Sequence, residues 1–145
     1  MIVKFKKMNE NAQAPTYGSG GAAGADLYAL CENGITILPG ETAFVHTGIA
    51  VELPEQTVGL VFARSGLACK RGLAPANKVG VIDADYRGEI LVALFNHGTA
   101  PQTVENGERI AQLAVVPYLP CEFTECEELS DSERGAGGFG STGKK

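Results

Sequence analysis

The sequence has few of the residues that build metal centres, and it has no long hydrophobic segment. Only two histidines are present, and the four cysteines form no Cys-x-x-Cys pair, which argues against a zinc site. No run approaches the ~18 apolar residues that span a membrane, and the first residues lack the apolar centre of a secretory signal. We therefore expect a cytoplasmic protein with free thiols, although the sequence alone leaves the cysteine pairing open.

Positive charge is also scarce. The chain has 12 Lys and Arg residues against 17 Asp and Glu residues, a net charge of −5. No cluster of basic residues exceeds three, whereas proteins that bind nucleic acids normally carry a basic face. We expect neither nucleic acid nor membrane as a partner, and an anionic ligand would have to be held by a few placed groups.

Helical periodicity is the third missing feature, since no segment of about 11 to 18 residues keeps it. The 19 glycines and seven prolines divide the 145 residues into short pieces, several of which alternate apolar and polar residues. Short strands with frequent turns predict one all-β domain over residues 1–130, either a β-barrel or a jelly roll. The predicted strands are residues 2–5, 34–38, 42–51, 58–62, 89–96, 102–104 and 110–118.

One short helix is predicted after Ser65, which would cap its start, while Gly72 would close its end. The character of the chain changes near its C-terminus, where residues 135–143 include five glycines. Such a segment cannot pack a core, and its backbone entropy keeps it mobile unless something binds it. We therefore expect residues 131–145 to form a mobile tail.

The segment GVIDADYRGEI, residues 80–90, is the most informative in the chain. Two apolar runs flank a polar stretch that contains Asp83, Asp85 and Tyr86, which predicts a β-hairpin with a polar turn. The two acids could simply shape the turn by bonding to its backbone. An acid and an aromatic ring, with Asn77 and a strand edge nearby, could also read the edge of a small planar ring.

Two further segments offer groups for anions and cations. Asp26 lies between small residues and a leucine, and its carboxylate could hold magnesium directly or through water, although a strand start is the simpler interpretation. Arg64-Ser65-Gly66 precedes the predicted helix and supplies a guanidinium fork and free N–H groups for a phosphate. A helix cap with a surface arginine explains the same three residues.

The last two segments are a strand entry and the tail. Arg109 and Gln112 either contribute to a site or form a strand-edge ion pair. In the tail, Phe139 has no local core to join, so it either stacks on the ring of a ligand or belongs to a disordered end. Residues 138–144 have the spacing of a Walker A loop, but Lys145 stands where that loop requires Ser or Thr.

Taken together and in this order, the five segments resemble the five motifs of the trimeric dUTPase family, from about residue 22 to residue 143. The resemblance implies a jelly-roll-like fold and a homotrimer with three active sites at subunit interfaces. It also implies a C-terminal tail that closes over a site formed by the other subunits. The implied reaction is hydrolysis of dUTP to dUMP and pyrophosphate, by attack of water on the α-phosphorus with Mg²⁺ as cofactor.

The resemblance assigns a role to each matching residue. Asp83 matches the general base that activates the water, and Tyr86 matches the ring that leaves no room for a ribose 2′-hydroxyl. Asp26 matches the magnesium ligand, through water, and Phe139 matches the ring that stacks on uracil. The uracil-reading segment corresponds to Asn77, Gly80, Val81 and Ile82. The phosphate contacts correspond to Arg64, Ser65, Gly66, Gln112, Arg134, Gly140, Ser141 and Thr142.

Two alternatives share this fold. The dCTP deaminases attack the cytosine ring with a glutamate on the strand after the third motif, where this chain has Ala93. A non-catalytic nucleotide-binding module would be expected to lose the base or the tail motif, and both are present here. One departure from the family is Ala63, since many members have proline before the arginine of the second motif, and we expect only a small effect on loop stiffness.

Overall fold

A computed structural model describes residues 1–138 of the chain. This part contains strands and one short helix. In chain order they are β1 (Lys4–Lys7), β2 (Thr16–Tyr17), β3 (Ala25–Tyr28), β4 (Ile35–Ile37), β5 (Thr42–His46), β6 (Ile49–Glu52), β7 (Thr57–Ala63), α1 (Ser65–Arg71), β8 (Leu73–Pro75), β9 (Gly80–Ile82), β10 (Leu91–Asn96), β11 (Gln102–Val104) and β12 (Arg109–Pro117).

The strands form four antiparallel sheets around one core. The largest has the order β2-β3-β12-β7-β9, the second has the order β5-β10-β8, and two pairs are β1-β6 and β11-β4. The core takes side chains from both larger sheets, and its fully buried members include Leu27, Leu73, Leu94 and Ile110. This architecture confirms the expected all-β, jelly-roll-like fold with one short helix.

Strand β7 lies at the centre of the part of the fold that carries the candidate residues. On one side it pairs with β12 over seven residues, from Ala63↔Ala111 to Thr57↔Pro117. On the other side it pairs with β9, where Val61 faces Gly80 and Gly59 faces Ile82. Every second side chain of β7 is buried in its first half, the period expected for a strand with one face on the core.

The single strand predicted over residues 42–51 is wrong, because the chain bends sharply between β5 and β6. Gly48 adopts a φ of +67°, and a Cβ there would lie 2.6 Å from Cβ of Ala12 and 2.7 Å from Cδ2 of Leu30. Only glycine combines this backbone conformation with so close an approach. The apolar pattern of residues 42–51 continues through the bend, so the sequence pattern could not show that two strands are present.

The predicted β-hairpin is also wrong, since its two strands do not pair with each other. Strand β9 pairs with β7, while β10 pairs with β5 and β8. Residues 83–90 therefore connect two sheets. The turn itself is present, because the N–H of Tyr86 donates to the carbonyl of Asp83 at 3.1 Å.

The helix is found where it was predicted, but its start differs. Arg64, with an extended backbone, is the N-cap residue and makes no side-chain cap bond, whereas Ser65 is already the first helical residue. Gly72 closes the helix as predicted, with a φ of 68° and its N–H directed to the carbonyls of Ala68 and Leu67. A left-handed glycine at this position is a common helix ending.

The remaining expectations concern cysteines, membranes and the tail. All four cysteines are free. Within residues 1–138, no helix is long and apolar enough to cross a membrane. Residues 118–138 contain no helix or strand, and their side chains are almost all exposed. The predicted tail residues Phe139, Gly140, Ser141 and Thr142 lie outside the described residues.

Candidate active site

Asp26 is the centre of the first cluster of candidate residues. Its side chain is 3% exposed, and its Oδ1 accepts bonds from Nε of Arg64 at 2.8 Å and from Nε2 of Gln112 at 3.3 Å. Its Oδ2 accepts a bond from Nη1 of Arg109 at 3.2 Å. The carboxylate of Asp26 is on β3, which pairs directly with β12, where Arg109 and Gln112 lie. The sheet therefore brings Asp26 together with Arg109 and Gln112, which are more than 80 positions further along the chain.

This ion-pair cluster fixes the direction of Arg64. Burial of a carboxylate is costly unless its charge is paired and its oxygens accept hydrogen bonds, and Asp26 has both forms of compensation. Arg64 binds Asp26 through Nε, and within residues 1–138 the four N–H groups at its two Nη atoms have no other acceptor, so they can bind a ligand. Of the alternative, a helix cap with a surface arginine, the structure keeps the cap position at Arg64, but the side chain is half-buried and paired with Asp26.

A cleft of about 480 Å³ lies beside this cluster. Its lining carries four basic side chains and one acid, and the acid, Glu108, is already paired with Arg71. Gly66 leaves open space on this side, since no atom lies within 4 Å of the place a Cβ would take. The cleft therefore suits an anion. Its lining residues are Tyr28, Arg64, Gly66, Leu67, Lys70, Arg71, Gly107, Glu108 and Arg109.

Asp83 lies in a second and larger cleft of about 940 Å³. Its carboxylate is exposed, and Asp85 and Glu55 line the same cleft. Apolar groups from β7 and β9, such as Leu60 and Val81, form much of the remaining wall. This is a site with exposed carboxylates next to an apolar surface, which suits a ligand with a flat ring and a reacting polar group.

Tyr86 is held within the same turn. Its hydroxyl donates to the carbonyl oxygen of Glu89 at 2.9 Å, while 43% of the residue stays exposed. Nη1 of Arg87 donates to the carbonyls of Ala84, at 2.6 Å, and of Tyr86, at 3.0 Å. The turn thus presents a carboxylate and an aromatic ring three residues apart, with the ring already fixed by its hydroxyl.

Asn77 and β9 lie on the approach to this turn. The side-chain amide of Asn77 is close to Gly80, since a Cβ on Gly80 would lie 3.5 Å from Nδ2 of Asn77. Strand β9 is the last strand of its sheet, with β7 as its only strand neighbour among residues 1–138. The outer edge of β9 therefore carries backbone groups without a strand partner within residues 1–138, and the reading of a planar ring by Gly80, Val81 and Ile82 stays a prediction.

The two clusters lie toward opposite ends of β7. Arg64 follows the last residue of β7, whereas Asp83 follows Ile82, which faces Gly59 near the start of the strand. At about 3.3 Å per residue, this separates them by about 17–20 Å. One chain therefore joins Asp26, Arg64, Ser65, Gly66 and Gln112, but it does not bring them to Asp83 or Tyr86.

The remaining residues of interest are Arg134 in the tail, Arg109, and Glu89, which the sequence analysis did not single out. Arg134 is exposed, and its Nε donates to the carbonyl of Gly137 at 2.8 Å, within the tail itself. Arg109, left open between a site residue and an ion-pair residue, pairs with Asp26. Glu89 was missed by the sequence analysis, although it binds the backbone of Gly48 at 2.7 Å. Nothing in its local pattern distinguishes it from an ordinary strand-entry acid.

We predict that Asp26→Asn lowers the free energy of unfolding by about 3 kcal/mol, because it leaves two guanidinium groups without their charge partner. Urea denaturation at one fixed protein concentration measures the change. The matched control is Glu52→Gln, since Glu52 forms an exposed pair with Lys4 at 2.8 Å, and the ammonium of Lys4 lowers the pKa of Glu52. Exposed pairs contribute little, so an equal loss in both variants would contradict the assignment.

Comparison with known proteins identifies the family to which the chain belongs. The family model for dUTPase matches residues 10–143. A deoxyuridine 5'-triphosphate nucleotidohydrolase of Desulfitobacterium hafniense is 50% identical over 142 residues, covering 97% of this chain and 94% of that protein.

Two solved structures are similar over most of their length. A Staphylococcus bacteriophage 80alpha dUTPase variant with dUpNHpp has a TM-score of 0.90 and 30% identity, and covers 98% of each chain. A variant dUTPase from phage phi11 of S. aureus, described with a structural Mg(II) ion, has a TM-score of 0.80 and 25% identity over 88% of this chain and 98% of that one. Since the family model matches nearly the whole chain, this protein belongs to the dUTPase family.

Proposed function

We propose that this protein hydrolyses dUTP to dUMP and pyrophosphate by attack of water on the α-phosphorus. The observation that carries the proposal is the turn at residues 83–89, which presents an exposed carboxylate and a fixed aromatic ring beside a sheet edge. Family membership supports it, since the similar proteins are deoxyuridine triphosphate nucleotidohydrolases.

Asp83 acts as the general base in this reaction. The water oxygen forms a bond to the α-phosphorus, the bond from that phosphorus to the bridging oxygen breaks, and pyrophosphate leaves with the electron pair. Asp83 accepts the proton that the water loses. A carboxylate is a weak base, so most of the acceleration must come from positioning and from fixed donors around the phosphates.

The Asp26 cluster supplies those donors. The unused Nη groups of Arg64 form a fork suited to phosphate oxygens, and Asp26 keeps that fork in one orientation. The hydroxyl of Ser65, the backbone at Gly66 and the amide of Gln112 complete the phosphate contacts. Arg134, Gly140, Ser141 and Thr142 of the tail are proposed to bind the terminal phosphates, while Phe139 stacks on uracil.

Magnesium fits the Asp26 cluster through water. The described residues contain no group of three or more His, Cys, Asp or Glu side chains placed to hold a metal ion. Oδ1 of Asp26 already accepts two bonds, whereas Oδ2 accepts one and can accept another from a metal-bound water. Magnesium retains waters and takes ligands from substrate phosphates. When bound, it would neutralise charge on the triphosphate.

The active form is a homotrimer whose sites are shared between subunits. The separation of about 17–20 Å along β7 between Arg64 and Asp83 supports a site shared between subunits, since it is longer than a triphosphate. The number of three subunits follows from the resemblance to the trimeric dUTPase family. Exposed apolar side chains, including Phe62, Val81, Tyr118 and Leu119, are consistent with surfaces that another chain covers.

Residues 131–145 are proposed to form a tail that closes over a site built by the other subunits. The described section of this segment is exposed and contains no strand or helix, so little holds it to its own domain.

We predict that a chain ending at Arg134 loses most dUTP turnover and keeps its melting temperature. An unfolded truncated protein, or full turnover by it, would contradict this domain division.

The direct test of the proposed reaction is pyrophosphate release from dUTP, measured beside dCTP, dTTP and UTP with and without magnesium. We expect release from dUTP, dependent on magnesium, and little from the other nucleotides. Ammonia release from dCTP would instead indicate a deaminase, although Ala93 on β10 has no group that transfers a proton. A folded protein that turns over no nucleotide would indicate a binding module.

Asp83→Asn is predicted to lower kcat for dUTP by about 10²–10⁴-fold, because it removes the base but preserves the shape of the turn. Binding of a non-hydrolysable dUTP analogue, measured by calorimetry, should change little. Asp85→Asn is the matched control, since Asp85 lines the same cleft two residues away. Equal losses of kcat in both variants would show that the assay reports on the charge of the cleft and not on a base at Asp83.

A further inference from the structure

The ring of Tyr86 is held at its hydroxyl end by the backbone of the residue three positions further along. The bond from its Oη to the carbonyl oxygen of Glu89 measures 2.9 Å. The ring therefore cannot turn about its Cα–Cβ bond without losing that bond. The position of Glu89 thus decides the position of the ring.

Glu89 is itself anchored to the bend between β5 and β6. Its Oε1 accepts the N–H of Gly48 at 2.7 Å, and its Oε2 is 2.9 Å from Nδ1 of His46. The next residue strengthens this junction, since the N–H of Ile90 donates to the carbonyl of Ile49 at 2.8 Å. The carboxylate is 23% exposed, which leaves both bonds partly protected from water. The bend and the turn are therefore one connected unit.

Gly88 leaves room for the end of the Tyr86 ring. A Cβ at this position would lie 2.5 Å from Cζ of Tyr86 and 2.9 Å from Cε2. The φ of Gly88 lies outside the left-handed region, so its backbone conformation is open to other residues. A methyl group at this position would meet the end of the Tyr86 ring, so it would displace the ring without straining the backbone.

We propose that Glu89 and Gly88 are positioning residues that set discrimination between deoxyribose and ribose by fixing the Tyr86 ring. The inference rests on the proposed function and on the ring as the wall that excludes a 2′-hydroxyl. A binding pocket whose wall can move away rejects a ligand with one additional hydroxyl only weakly. Rejection therefore depends on a ring that cannot move away, and Glu89 and Gly88 supply that rigidity.

The test compares kcat/KM for dUTP with kcat/KM for UTP in wild type, four variants of the Tyr86 turn and one control variant. Glu89→Ala removes both side-chain anchors, and Gly88→Ala pushes the ring, so each is expected to lower the dUTP/UTP ratio about tenfold. Glu89→Gln keeps an oxygen for the N–H of Gly48 and should retain most of the ratio. Tyr86→Phe keeps the ring but loses its tether, and its ratio should fall as well. Glu52→Gln, an exposed acid on β6, serves as the control and should leave the ratio unchanged.

The outcomes separate the inference from the function on which it rests. Wild type that releases no pyrophosphate from dUTP would contradict the proposed function. If wild type prefers dUTP to UTP and both Gly88→Ala and Glu89→Ala keep the full dUTP/UTP ratio, the positioning role is overturned and the proposed function stands. A fall in kcat/KM that is equal for dUTP and UTP would also overturn it, because that is the result of a merely structural role. If Glu89→Ala does not fold, Gly88→Ala and Tyr86→Phe decide the question.

Discussion

Strand β7 is the constraint on which the rest of the account depends. It is hydrogen-bonded on both edges, to β12 and to β9, so its length and register are fixed by the largest sheet. One end leads into Arg64 and the anion cleft, and the other end lies beside Asp83 and the second cleft. Arg64 directly follows β7 and Asp83 directly follows β9, so the pairing of β7 with β9 keeps the two residues toward opposite ends of β7. In the proposed trimer, a second chain supplies the half of the site that the first chain lacks.

The Asp26 cluster and the turn at residues 83–89 are both held in place by residues that would not themselves touch a substrate. The buried carboxylate of Asp26 orients Arg64 from β3, and Glu89 orients Tyr86 from the β5–β6 bend. Both anchors are carboxylates with specific partners. Asp26 is buried and paired with two guanidinium groups, the condition under which a buried acid is tolerated, whereas Glu89 is partly exposed and accepts the N–H of Gly48. A site with fixed donors and a fixed ring needs little rearrangement when a charged substrate binds, and such preorganisation is a large component of catalysis.

The sequence predicts what is local and misses what depends on pairing. Gly72 as the helix end follows from its position after the last helical residues, and the all-β class follows from short alternating segments. The partner of β9 could not be read from the sequence, because a polar turn between two apolar runs is equally compatible with two separate sheets. The contact between Asp26 and Arg109 joins residues 83 positions apart, and the role of Glu89 depends on a bend at Gly48 that the apolar pattern conceals. The five motif segments were predictable because each is contiguous in the chain.

Subunit complementation tests the shared site most directly. Asp83→Asn removes the base, whereas Arg64→Lys keeps a positive charge beside Asp26 but loses the fork that binds phosphate. The two variants, carrying different affinity tags, are co-expressed, and mixed assemblies are purified through both tags in succession before dUTP turnover is measured. The account predicts that mixed assemblies are much more active than either variant alone, because some sites combine an intact Asp83 from one chain with an intact Arg64 from another. Mixed assemblies that remain as inactive as the separate variants would show that each site is built from a single chain.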